Sequence, residues 1–224
     1  MQGFIQIAGI LDEEEARMLV TAGVRRLGFP LGIFPHREEI TVEAAASVIR
    51  GIPPPAEAVL ITYENRAQAI AELISKLGVR SVQIHGDIDL EEMPSLRRLR
   101  PRIHVTKSLI VKADNLAVLE EALLKFAPHV DSFITDTYDP ETGASGATGK
   151  THDWTISRRL VELSPRPVIL AGGLRPENVK AAILRVRPAG VDAHTGVEGP
   201  DGRKDARKLA AFVRAAKEAF AMQS

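Results

Sequence analysis

Short apolar runs alternate along this chain with longer segments in which apolar residues recur every three or four positions. The short runs predict eight strands: Phe4 to Ile10, Val24 to Phe29, Ala58 to Thr62, Ser81 to His85, Ile103 to Val105 or a little beyond, Ser132 to Asp136, Val168 to Ala171 and Gly190 to His194. Between and after them the longer spacing predicts helices. Asp12 to Ala22 opens on an aspartate and an acidic first turn and stops at Gly23, while Asn65 to Leu77 stops at Gly78. Pro176 to Leu184 opens with proline in the first turn, and Asp205 to Phe220 follows the last strand. Thr41 reads as a plain cap, because Ala44 stands where a capping box needs Glu.

Strict alternation of strand and helix, with near-continuous apolar strands, means a parallel sheet covered by helices. Eight such units fit a closed (β/α)8 TIM barrel better than an open doubly wound sheet. No G-x-G-x-x-G follows the first strand, where a dinucleotide-binding fold needs it. The whole chain, 1–224, is expected to be one barrel domain. Its longest irregular stretch, Thr137 to Thr151, has the length of a functional loop.

Composition narrows the partners. Lysine plus arginine number 29 and aspartate plus glutamate 29, so no net field draws the chain to nucleic acid or to an anionic membrane. Without cysteine there is no disulfide, thiolate metal site or thiol nucleophile. The opening MQGFIQIAGILDEEEAR lacks the basic start and apolar core of a signal peptide, and no apolar run approaches the roughly 20 residues that span a bilayer. The expectation is a soluble cytoplasmic protein. No paired histidine and carboxylate motif stands at ligand spacing, so no metal site is expected.

The chemistry gathers after the last two strands. Gly172 and Gly173 let backbone N–H groups approach an anion, and His194-Thr195-Gly196 leads into what reads as a short extra helix. Adjacent glycines alone make only a tight turn. In a barrel, however, the loops after strands seven and eight lie side by side, which makes Gly172, Gly173, Thr195 and Gly196 a phosphate cup. Asp136, at the end of the sixth strand, reads as a catalytic carboxyl at the barrel mouth or as a turn cap before Thr137. Gln83 and His85 alternate onto one face of the fourth strand, as substrate contacts or as packed polar residues.

Asp136, the run Gly146-Ala147-Thr148-Gly149-Lys150-Thr151-His152-Asp153-Trp154, Leu170-Ala171-Gly172-Gly173-Leu174 with Arg175-Pro176-Glu177-Asn178-Val179, and Gly190 to Glu198 keep a specific order and spacing. In these motifs the chain resembles the phosphoribosylanthranilate isomerase family, the Amadori-type isomerases of tryptophan biosynthesis. The resemblance implies a phosphorylated aminosugar substrate, no metal or organic cofactor, and a monomer or homodimer. It makes Asp136 the general acid that opens the furanose ring, assigns Arg37 to the anthranilate carboxylate, and places Gln83 and Asp192 at substrate or phosphate.

The family's first strand normally reads lysine, a small apolar residue, cysteine, glycine, with the cysteine as general base. Here it reads Gln6-Ile7-Ala8-Gly9. Loss of a positioned base costs about 10² to 10⁴ in rate. Four readings fit this change: another residue supplies the base, with His194 and His85 as candidates; a related substrate reacts by other chemistry; the barrel binds without turnover; or Ala8 is an engineered change. Gln6 and His194, where the family has lysine and serine, argue for natural divergence. Lys107, the Schiff-base residue of an aldolase reading, is expected to be unburied.

Overall fold

The computed structural model describes residues 3–32, 40–141, 143 and 149–223. Eight strands, β1 (Phe4–Ala8), β2 (Arg26–Pro30), β3 (Glu57–Thr62), β4 (Ser81–Ile84), β5 (His104–Val111), β6 (Ser132–Thr137), β7 (Val168–Leu170) and β8 (Gly190–Ala193), close into a parallel barrel. Helices α1 (Glu13–Thr21), α2 (Val42–Arg50), α3 (Ala67–Leu77), α4 (Glu92–Leu99), α5 (Leu116–Phe126), α6 (Trp154–Leu163), α7 (Val179–Val186) and α8 (Ala206–Ala221) follow the strands in turn, with a 3₁₀ turn at Thr195–Val197 before α8. β8 returns to β1 in parallel, with Gln6 opposite Asp192 and Ile7 opposite Ala193.

Strand alternation divides the apolar residues into separate cores. Ile7, Leu27, Leu60, Val82 and Phe133 face outward and join Leu19, Ile70, Leu123, Ile183 and Phe212 of the helices in one continuous layer. Inside the barrel lie two small clusters, Ala8 with Val59 and Ile61, and Ile134 with Ile169 and Ala171 packed on Phe4. The remaining interior is polar: Gln6, Arg26, Gln83, Thr106, Ser108, Asp136 and Asp192 are all buried.

Several element bounds differ from expectation for local reasons. β1 stops at Ala8 because Gly9 turns the chain at φ 76. β2 starts at Arg26, since the Val24 N–H still bonds to the Leu19 carbonyl in the exit from α1. β5 runs on to Val111 because Thr106 and Ser108 face the polar interior and hide the strand from an apolar count. α7 begins at Val179, not Pro176. Asn178 holds the turn before it, accepting from the Arg175 N–H at 2.8 Å and donating to the Gly173 carbonyl at 2.9 Å. The caps follow the sequence reading: Asp12 accepts from Glu15 N–H, Thr41 from Ala44 N–H, and Asp205 from Arg207 and Lys208 N–H.

Candidate active site

The barrel's C-terminal mouth is where the predicted residues meet. β6 carries Asp136 to its penultimate position, opposite Ile110 of β5, and buries it. One carboxylate oxygen accepts the Thr137 N–H at 2.7 Å. Burial pushes the acid up to about 7 against the pull of that bond, so a proton is available near neutrality. The following turn is held by Asp139, which accepts the Glu141 N–H, rather than by Asp136.

Beside Asp136 the loops after β7 and β8 close on each other. A side-chain carbon at Gly196 would run into the Leu174 carbonyl oxygen, so glycine sets the approach of the two loops. Gly172 has φ 93, a left-handed conformation, and packs against the Thr137 hydroxyl and the His152 ring. Gly173 lies against the backbone of Lys150 and Thr151, which brings the loop before α6 onto the same cup. Among the described residues the N–H groups of Gly172, Gly173 and Gly196 take no hydrogen bond, and Thr195 starts the 3₁₀ turn. Three open N–H donors thus lie close together where the loops after β7 and β8 meet.

On the opposite wall Ala8 offers only a methyl group, packed with Val59 and Ile61. His194 follows the β8 residue paired with Ile7, and its ring lies over Gly9. Its Nε2 stands 3.3 Å from Glu198, which in turn holds Lys204 at 2.5 Å. Burial, aided by Lys204, pushes the histidine down to about 3, so His194 is a neutral ring at pH 7. A polar string crosses the barrel below: Gln6 donates to Gln83 at 2.9 Å, Gln83 to Ser108 at 3.5 Å, and Ser108 shares a hydrogen with His85 Nδ1 at 3.1 Å. Asp192 sits in this interior with Oδ1 fully covered.

Lys107 corrects one expectation, since it is buried. It is paired with Ile84, an outward residue, and its Nζ donates to the Gly86 and Ser108 carbonyls while resting 5.9 Å from the Phe126 ring. The amine therefore points into the helix layer, away from the mouth. Arg37 lies outside the described residues.

Three neighbours of the site were given no role by the sequence reading. Tyr63, just after β3, packs on His85 with centroids 4.8 Å apart and ring planes tilted by 51°, and burial together with the Asp136 charge pushes its hydroxyl well above the usual tyrosine range. His152 bridges the Thr137 hydroxyl at 2.8 Å and the Ser157 hydroxyl at 2.6 Å, pinning the loop before α6. Arg26 enters the interior from β2, packs 5.2 Å over the Phe4 ring and meets Glu57 at 3.4 Å. The available clue was the first position beyond a strand for Tyr63, an inward strand site for Arg26 and the motif before α6 for His152. No cluster of three or more metal-binding side chains occurs among the described residues, and no described helix is long and apolar enough to cross a membrane.

Comparison with known proteins places the whole chain in one group. The sequence profile for N-(5'-phosphoribosyl)anthranilate (PRA) isomerase matches residues 5–215. N-(5'-phosphoribosyl)anthranilate isomerase 2 of Methanosarcina mazei is 39% identical over 217 residues, covering 96% of this chain and 95% of that protein. The crystal structure of phosphoribosyl anthranilate isomerase from Thermotoga maritima superposes with a TM-score of 0.82 at 31% identity, covering 97% of this chain and 100% of its own. Another such isomerase, solved with reduced 1-(o-carboxyphenylamino)-1-deoxyribulose 5-phosphate, gives a TM-score of 0.80 at 28% identity, with 97% and 100% covered.

Proposed function

Because the chain belongs to the N-(5'-phosphoribosyl)anthranilate isomerase family, we propose that it isomerises a phosphorylated 1-aminoribose to the corresponding 1-amino-1-deoxyketose phosphate. The observation that carries this reading is Asp136, a buried carboxyl held near pKa 7 beside the anion nest. A group that keeps its proton at neutral pH can pass it to the furanose ring oxygen as the C1–O bond opens. The glycine nest of Gly172, Gly173, Thr195 and Gly196 holds the phosphate, and Gln83 and Asp192 line the polar interior on which the sugar rests. Arg37 is assigned to the aromatic carboxylate, which the ligand of the related structure carries.

Phosphoribosylanthranilate is the first substrate to test, by loss of its fluorescence with this chain and with Ala8→Cys. Turnover by either chain supports the reading, and silence from both counts against that substrate. Ala8, which has no proton-accepting group, favours one second reading, a barrel that binds phosphorylated metabolites without converting them. Calorimetric binding of the phosphosugar with no product by mass spectrometry would select it.

A further inference from the structure

We propose that Asp192 is the general base of this barrel, sharing the proton traffic with Asp136 and replacing the side chain absent at Ala8. The inference rests on the isomerase reading and deepens it.

Asp192 lies on β8 in register with Gln6 and is 7% exposed. Its Oδ1 is fully covered and has no hydrogen-bond partner among the described residues. An ionised carboxylate oxygen accepts two hydrogen bonds, so an empty one inside a protein is expensive unless substrate or solvent completes it. Arg26, the buried cation of the same interior, also keeps Nη2 without a partner. The barrel interior thus holds an acceptor and a donor, each buried and without a partner.

The groups around Asp192 make it suitable for taking a proton. Burial and the Asp136 charge raise it to about 7, while the Gln6 side chain, Lys204 and Arg26 pull it back down. Two buried carboxyls that repel one another do not both ionise readily, so near neutrality one carries the proton and the other the charge. That is the state an acid and a base need at once. His194 is the weaker base, since its Nε2 faces Glu198 and its ring gains a proton only near pH 3.

The steps balance within the substrate and these two carboxyls. Asp136 gives its proton to the ring oxygen; the C1–O bond breaks and the amine lone pair forms a C1=N iminium. Asp192 removes the proton from C2, the C2–H electrons form C1=C2, and the C=N pair returns to nitrogen. Asp192 then delivers its proton to C1 while the C2 hydroxyl proton restores Asp136. C2 is oxidised and C1 reduced by the same two electrons, so no outside oxidant is needed.

The test compares initial rates on phosphoribosylanthranilate for the parent chain, Asp192→Asn, Ala8→Cys, the Ala8→Cys/Asp192→Asn double variant and His194→Asn, each checked for folding by circular dichroism. Asp192→Asn is expected to lose about 10² to 10⁴ in kcat, and Ala8→Cys to return at least about tenfold of it in the double variant by supplying a thiolate. Parent-like kcat in Asp192→Asn, or loss confined to His194→Asn, overturns the proposal. So does an active Ala8→Cys whose activity vanishes in the folded double variant, because Asp192 then holds substrate or structure without moving the proton. If the parent and Ala8→Cys are both silent, the isomerase reading fails for this substrate, and the proposal falls with it.

Discussion

At the scale of the residue, the site is built at the expense of stability. Asp136 titrates near 3.8 when unfolded and about 7 when folded. Between those values the folded chain binds more protons than the unfolded one, so its stability falls as pH rises and the full cost is present above pH 7. Asp136→Asn is therefore expected to remove the acid, lowering kcat by about 10² to 10⁴, and to stabilise the fold on the order of 2 kcal/mol at pH 8. Steady-state rates and scanning calorimetry on one preparation check both; lost activity with an unchanged melting temperature would show that burial costs the carboxyl nothing. Lys107 has the opposite sense. Burial, offset by Asp87, brings it down to about 8, so stability rises between about pH 8 and 10.5 as the unfolded chain alone keeps its proton. Lys107→Met is expected to abolish that rise in urea melts, and to leave turnover unchanged because the amine faces Phe126 in the helix layer.

At the scale of the element, two small changes are informative. Asp205 accepts two N–H groups at the start of α8, and Asp205→Ala is expected to cost about 1 kcal/mol in urea titration with kcat unaffected. Gly196→Ala forces a methyl group onto the Leu174 carbonyl. It is expected to raise KM at least about tenfold, with a smaller effect on kcat, because it separates the loops of the proposed anion nest while leaving Asp136 in place. Where the sequence signal was strong, the elements were legible. Phe133 to Thr135 and Val168 to Leu170 are unbroken runs of apolar or β-branched residues, and Asp12, Thr41 and Gly78 mark their helix ends by cap chemistry. β5 was shortened because an inward face lined with Thr106 and Ser108 lacks the apolar signature of a buried strand. The candidate site divides the same way. The glycines after β7 and β8 announce themselves by backbone needs that no other residue meets, whereas Arg26 and Tyr63 owe their place to strand register and to the position of a neighbouring carboxyl, which local patterns do not encode.

At the scale of the whole molecule, the buried titratable groups oppose each other. Burial raises Asp136 and Asp192 to about 7, and it lowers His152 to about 4 and His194 to about 3. From about pH 4 to 6.5 the carboxyls make stability fall with rising pH, while the histidines, charged only in the unfolded chain, make it rise. The spans are comparable, so the unfolding free energy is expected to be nearly flat across this window, as measured by urea titration at several pH values. A steep slope there would mean that one set of groups is exposed. Below pH 4 the surface pairs fail as well: against the pull of burial, the Glu15 N–H and then Arg203 hold Asp12 below the usual carboxylate range, and the Val105 N–H and then Arg97 hold Asp131 there, so both lose these bonds as pH falls through it. The tight seam between the last two loops has a kinetic consequence. Gly196 against Leu174, and Gly173 against Lys150 and Thr151, leave no slack through which the nest could close round a guest. An anion should enter as a key enters a cut lock, in a single step: stopped-flow traces with a phosphosugar would be single exponentials whose rate climbs in proportion to concentration, without the plateau that a slow rearrangement imposes.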